Sequence, residues 1–375
     1  MRLLIAAGGT GGHVYPALAI AESLYDQDPA AYVAFVGTVG GMERPMIEKS
    51  GVQFTAYHEV QAGPLHGVGV FTALGSAFKL LRGMVTAWGI INTHKPEVVV
   101  NTGGWAAVPV TVVAWLRRVP VVVYLPDIEP GLTIRSTRAL ATRIAVTTAE
   151  SAPYIPAGKM VVTGYPLRQN VMRATREAGI KHFGLDPAKK TVLVFGGSRG
   201  ARSINIAVID ALPKLLAGGD VQVIHVTGEL DADRAETAKN IAGYHPFAYL
   251  HDDMGLAMAA ADLCVCRSGA STLGELPYFG LPSILVPYPH AWRYQKVNAD
   301  YLASRGAALV LPDEQMSDKL VDEIHRLLTS PETLTTMQHA AAALTQGDAA
   351  ANLVALLQTV SHNTHADSSK GGTRP

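Results

Sequence analysis

Leu3-Leu4-Ile5-Ala6-Ala7-Gly8-Gly9-Thr10-Gly11-Gly12-His13 opens this chain. Thr191-Val192-Leu193-Val194-Phe195-Gly196-Gly197-Ser198-Arg199-Gly200-Ala201 repeats its plan at an equivalent place in the second half. In each stretch a short apolar run leads into a glycine turn and then into a segment with helical spacing. Strand, glycine turn and helix start together form a seat for phosphate. Glycine lets the backbone approach oxygen closely, and the helix N-terminus offers free N–H groups and a favourable dipole. Having the device twice predicts an α/β protein of two doubly wound, Rossmann-like domains facing one another across a cleft.

The rest of the chain agrees with that plan. Near-continuous apolar runs such as Val119-Pro120-Val121-Val122-Val123-Tyr124 suit a parallel sheet covered on both faces. Strands are predicted at 2–6, 31–36, 53–57, 97–101, 119–124, 142–146 and 160–163. A second set follows at 190–195, 221–226, 247–250, 262–266, 282–287 and 307–310, alternating with helical segments. Glycine and proline in Gly164-Tyr165-Pro166 interrupt the pattern, so the domains are predicted as 1–163 and 164–346. A terminal helix over 347–361 is expected to return to the first domain, and 362–375 reads as a disordered polar tail.

Composition narrows the function. At 375 residues the chain is long enough for two cores, and 48% hydrophobic against 17% charged residues argues for packing throughout. Lysine plus arginine balances aspartate plus glutamate at 31 each, which argues against a general nucleic-acid surface. Cys264 and Cys266 alternate on a predicted strand, where they are poor disulfide partners, and no histidine or cysteine cluster completes a metal site. A reducing, cytoplasmic setting fits. The glycine turn begins at residue 8, which leaves no room for a signal peptide. Val98 to Leu116 approaches the length of a membrane span, but Asn101, Gly103, Gly104 and Pro109 make it read as strand, turn and buried helix.

Three stretches can carry chemistry. The first turn is not a dinucleotide fingerprint, since Val14 stands where the last glycine belongs, and it ends instead in His13 with Pro16 near the helix start. A histidine at the positive end of a helix dipole is favoured as the neutral imidazole that a general base needs. It could equally cap or pack the turn. Arg267-Ser268-Gly269-Ala270-Ser271-Thr272-Leu273-Gly274-Glu275 follows the cysteine strand and opens a helix, so its small residues can offer N–H groups to an anion. Glu275, about a turn in, could accept both hydroxyls of a ribose or simply complement the helix dipole. In Pro287-Tyr288-Pro289-His290-Ala291-Trp292-Arg293-Tyr294-Gln295-Lys296-Val297-Asn298, Gln295 and Asn298 share a helix face suited to sugar hydroxyls or to solvent.

Taken together, the GGTGGH turn, GGSRGA, RSGASTLGE and PYPHAWRYQKVNA segments resemble the MurG family of bacterial N-acetylglucosaminyltransferases. Smaller matches are Gly37-Thr38 with Gly41-Met42-Glu43, Thr102-Gly103-Gly104, Pro130-Gly131-Leu132-Thr133 and Asp252-Asp253-Met254. The resemblance runs from residue 1 to about residue 360 and implies a two-domain GT-B fold that needs neither metal nor cofactor. It implies inverting transfer of GlcNAc from UDP-GlcNAc to the 4-hydroxyl of a lipid-linked muramyl-pentapeptide, the step that makes lipid II for peptidoglycan. By position, Arg168 and Ser198 would hold the donor diphosphate, the backbone at Leu250 would face uracil, and Glu275 would take the ribose. Ala270, Ser271, Thr272, Leu273 and Gly274 would surround the phosphates, with Gln295 on the GlcNAc ring. Thr10, Gly11 and Gly12 would line the acceptor side, with His13 the candidate base.

The family usually carries His-Glu-Gln-Asn after the fifth strand, where this chain has Tyr124-Leu125-Pro126-Asp127. A carboxylate there would repel a pyrophosphate unless protonated or paired, so Asp127 is a second candidate base and Glu129 a candidate for compensation. Tyr294 stands where the family has the first of two glutamines. These departures keep two alternatives open: a related UDP-sugar transferase with another acceptor, and a non-catalytic nucleotide-sugar-binding protein. A lipid-linked acceptor also requires docking at the cytoplasmic face of a membrane. Val68, Val70, Phe71, Leu74, Phe78, Leu81, Met84 and Trp88 recur at helical spacing with Lys79 and Arg82 between them, and Trp115 precedes Arg117 and Arg118. Apolar residues fringed by cations suit peripheral contact with an anionic membrane surface.

Overall fold

The computed structural model describes residues 1–64, 69–197, 200–289 and 294–370. They divide into two units, Met1–Arg168 with Gln346–Pro375, and Gln169–Thr345. The division falls a few residues beyond the glycine and proline of Gly164-Tyr165-Pro166.

In the first unit the chain runs β1 (Arg2–Ala7), α1 (Gly11–Gln27), β2 (Tyr32–Thr38), α2 (Glu43–Ser50), β3 (Ala56–Val60), α3 (Val70–His94) and β4 (Val98–Gly103). It continues through α4 (Ala107–Leu116), β5 (Val121–Leu125), α5 (Leu132–Thr137), β6 (Arg143–Val146) and β7 (Met160–Val162). The seven strands form one sheet in the order β3-β2-β1-β4-β5-β6-β7, with every pair parallel. Helices on both faces bury the valines and isoleucines of the central strands completely, which is why those strands read as unbroken apolar runs.

In the second unit the helices are α6 (Gln169–Met172) and α7 (Arg176–Phe183), and then β8 (Lys190–Phe195), α8 (Arg202–Leu215), β9 (Val221–Val226), α9 (Ala232–Glu236) and β10 (Tyr244–Phe247) follow. Next come α10 (Met254–Ala260), β11 (Leu263–Cys266), α11 (Thr272–Tyr278), β12 (Ser283–Leu285) and α12 (Tyr294–Ser304). The unit closes with β13 (Ala308–Val310), α13 (Met316–Leu328) and α14 (Pro331–Ala342). Six parallel strands order as β10-β9-β8-β11-β12-β13. Finally α15 (Ala349–Lys370) packs on α1 and β4 of the first unit through fully buried Leu353, Val354 and Leu357. Spacing of three and four residues puts these side chains on one face. The helix continues to Lys370 because no glycine or proline interrupts it before Gly371.

Two details depart from the sequence reading. The edge strand expected at 247–250 lies at Tyr244–Phe247. Pro246 is tolerated there because the strand has a partner on one side only. Helix α1 starts at Gly11, so Pro16 sits inside it rather than in its first turn. The stretch from Val98 to Leu116 forms β4, a turn and α4. Among the described residues no helix is long and apolar enough to cross a membrane.

Each doubly wound sheet has one point where the strand order reverses, between β1 and β4 in the first unit and between β8 and β11 in the second. At such a point neighbouring strands send their following helices to opposite faces, which opens a crevice at their carboxyl ends. The two glycine turns lie at these two places.

A buried histidine ties the edge of the second sheet together. His225 on β9 lies between the Tyr244 hydroxyl (2.9 Å from Nδ1) and Asn205 Oδ1 (3.0 Å from Nε2). Asn205 Nδ2 donates to the Thr227 carbonyl, so its Oδ1 must accept and His225 Nε2 must carry the proton. Burial pushes the His225 pKa down to about 4 from an unfolded value near 6.5. The unfolded chain therefore binds the extra proton first. The stability this group contributes is complete above pH 6.5 and is lost as pH falls toward 4, on the order of 3 kcal/mol in all. Urea unfolding at pH 7 and pH 4.5 should show this slope, and His225→Gln should reduce it.

Candidate functional site

The first crevice is built around His13, the third residue of α1. Its Nδ1 lies 2.9 Å from the carbonyl oxygen of Thr102, while Thr102 Oγ1 donates to the His13 carbonyl at 2.8 Å. A carbonyl only accepts, so Nδ1 carries the proton and Nε2 keeps its lone pair. Burial lowers the pKa of this histidine, and the bond to Thr102 opposes the shift in part. The imidazole is thus neutral at pH 7, in the tautomer a general base requires.

Close backbone approach makes this arrangement possible. Between β1 and β4 the register pairs Ala6 with Asn101 and Ala7 with Gly103, which leaves Thr102 as an extra residue beside His13. Gly103, at φ +114°, faces the ring, and a Cβ there would lie 2.4 Å from His13 Nδ1. A Cβ on Gly104, at φ +82°, would meet the Gly8 carbonyl oxygen at 2.0 Å. The Gly8 N–H donates to the Gly103 carbonyl at 3.0 Å. Thr10 is the exposed residue preceding α1, and the amides of Gly11 and Gly12 are among the first N–H groups of the helix, which have no intrahelical acceptor. They can meet an anion there.

Sequence reasoning passed over Glu43 except as part of a motif. It opens α2, is fully buried, and accepts from the Gly9 N–H at 2.6 Å and from Thr38 Oγ1 at 3.1 Å. An acidic residue in a first helical turn reads as an ordinary dipole partner. The nearby Gly40-Gly41 pair was the available signal of crowding.

The four residues from Tyr124 to Asp127, of which Tyr124 and Leu125 end β5, divide in character. Tyr124 is fully buried, with its hydroxyl 3.0 Å from Thr147 Oγ1 and 3.3 Å from the Gly164 carbonyl, so it braces β5 against the segment leaving β7. Leu125 and Pro126 are buried as well, and Asp127 alone of the four is partly exposed. Glu129 is buried in an ion pair with Arg135 of α5 at 2.7 Å, which fixes the loop to its helix. Arg168 closes the first unit, and its guanidinium is held there by Glu22 (2.9 Å) and the Ser50 carbonyl (2.9 Å).

The second crevice contains Gly196, Gly197, Gly200 and Ala201 between β8 and α8. Ser198 lies outside the described residues. Arg267, just after β11, is buried. It donates to Ser203 Oγ at 2.7 Å and to the Val286 carbonyl at 3.1 Å, pairs with Asp313, and lies against the Tyr288 ring. This cluster joins the start of α8 to the strand ends. It too was not singled out from the sequence.

Ala270, Ser271 and Gly274 are partly exposed around the start of α11, whereas the side chains of Thr272 and Leu273 are buried and their N–H groups donate to the Gly269 and Ala270 carbonyls at 3.1 Å. Glu275 is partly buried one turn in. Its burial raises the carboxyl pKa, and a hydrogen bond from Ser271 opposes the shift. Leu250 is buried just after β10.

On α12 the pair expected to face sugar separates. Gln295 is partly exposed, its Oε1 accepting from the Tyr288 N–H at 2.9 Å, which leaves its Nε2 hydrogens for a ligand. Asn298 is fully buried and donates to the Ser268 carbonyl at 3.2 Å, so it fastens the 267–275 loop instead of meeting sugar. Cys264 and Cys266 are free thiols buried under this loop. Among the described residues no three His, Cys, Asp or Glu side chains converge to hold a metal ion.

The glycosyltransferase family 28 N-terminal domain matches residues 3–146, and the C-terminal domain of the same family matches residues 191–353. A relative from a Roseiflexus species is named a UDP-N-acetylglucosamine–N-acetylmuramyl-(pentapeptide) pyrophosphoryl-undecaprenol N-acetylglucosamine transferase. It is 38% identical over 96% of this chain and 95% of its own. A relative of the same name from Desulforudis audaxviator is 38% identical over 92% of this chain and 94% of its own. Among solved structures, MurG of Acinetobacter baumannii matches with a TM-score of 0.74 at 26% identity, covering 95% of this chain and 99% of that one. UDP-GlcNAc 2-epimerase of Neisseria meningitidis, with a TM-score of 0.69 at 14% identity over 96% of this chain and all of that one, shares the fold alone. With both domains matched in order along most of its length, the chain belongs to glycosyltransferase family 28.

Proposed function

We propose that this protein transfers GlcNAc from UDP-GlcNAc to the 4-hydroxyl of an undecaprenyl-pyrophosphoryl muramyl-pentapeptide, completing lipid II for the cell wall. The observation that carries the mechanism is the neutral His13, mounted on Thr102 with its Nε2 lone pair unused by that mount. In the transfer, Nε2 takes the proton of the acceptor hydroxyl as its oxygen bonds to C1 of GlcNAc from the face opposite UDP. The C1–O bond breaks, and its electron pair leaves with the UDP diphosphate. The N–H groups in the first turn of α8 balance that developing charge, together with the backbone of Ala270 and Ser271 ahead of α11. Glu275 accepts from the ribose hydroxyls, and the Gln295 amide group donates to the sugar. The amides of Gly11 and Gly12 and the Thr10 hydroxyl serve the acceptor side. Arg168 enters the reading by exchanging Glu22 for phosphate.

Asp127 favours a second reading, in which the same donor chemistry serves another acceptor. It is the partly exposed residue of a stretch where the family usually has asparagine. UDP release with and without a short-chain lipid I analogue separates the two. Release that depends on the analogue, with a disaccharide product, supports lipid II synthesis, and donor binding without such release supports the second reading.

The acceptor's lipid calls for a membrane-facing surface. On α3, Phe71, Leu74, Phe78, Leu81, Val85 and Trp88 recur every three or four residues and are all exposed, Phe71 by 91%. Met84, expected in this stripe, packs instead against the core of the first unit, and Val85 takes its place. Val68 lies outside the described residues, as does the Val70 side chain. Trp115 and Leu116 at the end of α4 are exposed as well. Arg82 lies against Phe78, and Arg117 lies over Trp88 at 4.9 Å. An apolar stripe edged by cations fits an anionic bilayer interface on the cytoplasmic side.

His13→Ala should lower kcat by about 100-fold or more and leave the KM for UDP-GlcNAc nearly unchanged. In the wild type, the acid limb of kcat should lie below pH 6.5, since the base is lost as pH falls through a lowered pKa. Glu275→Ala should weaken UDP-GlcNAc binding by about 1.5–3 kcal/mol. Wild-type affinity should drop as pH falls through a value above 4.5, because a protonated carboxyl accepts poorly from ribose; calorimetric titration checks both. Flotation with phosphatidylglycerol vesicles should recover the protein, and Phe71→Ser with Phe78→Ser should abolish recovery without loss of UDP-GlcNAc binding.

A further inference from the structure

We infer that Glu43 is a positioning residue of the transfer reaction, fixing through Gly9 the turn from which α1 carries His13. The inference rests on His13 being the base. Thr102 and Gly103 hold the Nδ1 edge of the His13 ring, as described above. The other support is the turn Gly9-Thr10 that leads into α1, where the His13 N–H donates to the Thr10 carbonyl at 3.0 Å. Gly9, at φ +95°, stands beside the ring without touching it, since even a Cβ there would lie 4.0 Å from His13 Cδ2. Gly9 in turn is fastened by its N–H to Glu43 Oε1 at 2.6 Å, the length of a strong, charge-assisted bond. Thr38 Oγ1 donates to the same oxygen at 3.1 Å and fixes the carboxylate to the end of β2.

The placement of Glu43 is unusual for a residue with a purely structural task. Its side chain is fully buried, and its other oxygen, Oε2, has no hydrogen-bond partner. A buried carboxylate oxygen without a partner is a burden on stability. Room for it exists because Gly41 lacks a side chain, since a Cβ there would lie 1.8 Å from Oε2. An apolar residue would fill the space at less expense but could not hold the Gly9 amide. By taking that amide, Glu43 also withdraws it from any ligand and leaves the anion-facing role to Gly11 and Gly12. The carboxylate therefore fixes the turn that starts α1, while Thr102 and Gly103 fix the ring that α1 carries.

The test is a double-mutant cycle on turnover of UDP-GlcNAc with a lipid I analogue, using Glu43→Ala, Glu43→Gln and His13→Ala. Glu43→Ala should lower kcat by about 100-fold, the order expected when a catalytic group is misplaced by an ångström. Glu43→Gln, which keeps a weaker acceptor for Gly9, should fall between it and the wild type. The KM for UDP-GlcNAc should stay unchanged in both. His13→Ala with Glu43→Ala should turn over at the residual rate of His13→Ala alone, because an anchored turn without a base has nothing to position. Independent multiplication of the two losses would overturn the inference, as would wild-type kcat in Glu43→Gln and Glu43→Ala alike. Wild-type turnover in His13→Ala would overturn the base assignment itself and the inference with it. Should Glu43→Ala fail to fold, as thermal melting would show, the isosteric Glu43→Gln combined with His13→Ala gives the same cycle.

Discussion

Close approach of two backbone turns at the carboxyl ends of β1 and β4 is the constraint on which the first crevice depends. Gly8 donates to Gly103, Gly104 lies under the Gly8 carbonyl, and neither contact leaves room for a Cβ. The space so freed admits the His13 ring against Gly103, where one carbonyl then selects its tautomer. Parallel strands bring this about because the sheet order reverses between β1 and β4. That leaves the turns uncovered by a crossover helix while α1 still begins there.

The second unit reaches a similar end by another route. Its crevice is braced by the buried Arg267 with Asp313 and Ser203, and by Ser268 with Asn298 and the Gln295 backbone. A buried guanidinium with one carboxylate and several carbonyl or hydroxyl acceptors has its donors well used, which holds the loop at the start of α11 in one conformation. The 267–275 loop is thus fixed from behind and presents its small residues and Glu275 forward. In both units a buried charged side chain beneath the turn does the holding.

Much of the fold was legible from local pattern. Unbroken valine and isoleucine runs mark strands buried on both faces, and the glycine turns mark their carboxyl ends. Where the reading slipped, a tertiary partner was the cause. The edge strand moved to Tyr244–Phe247, where Tyr244 meets His225 on the neighbouring strand. The site was legible by residue type and less so by role. His13 and Glu275 lie at helix starts as their spacing implied, but Tyr124 and Asn298 proved to be buried braces and Met84 turned to the core. Periodicity says that residues share a face and leaves open which face is covered.

The sequence by itself determined the elements, their order, and the two places where phosphate chemistry can sit, because strand runs, glycine turns and helix starts are set by neighbours along the chain. Only the tertiary structure decided which polar residue is buried as a brace of the fold and which stands at a crevice. His13 takes its tautomer from Thr102, which lies 89 positions away, and Gly9 its anchor from Glu43, which lies 34 away. A hydrogen bond depends on distance and direction in space, and no local pattern encodes which distant segment the folded sheet will bring alongside.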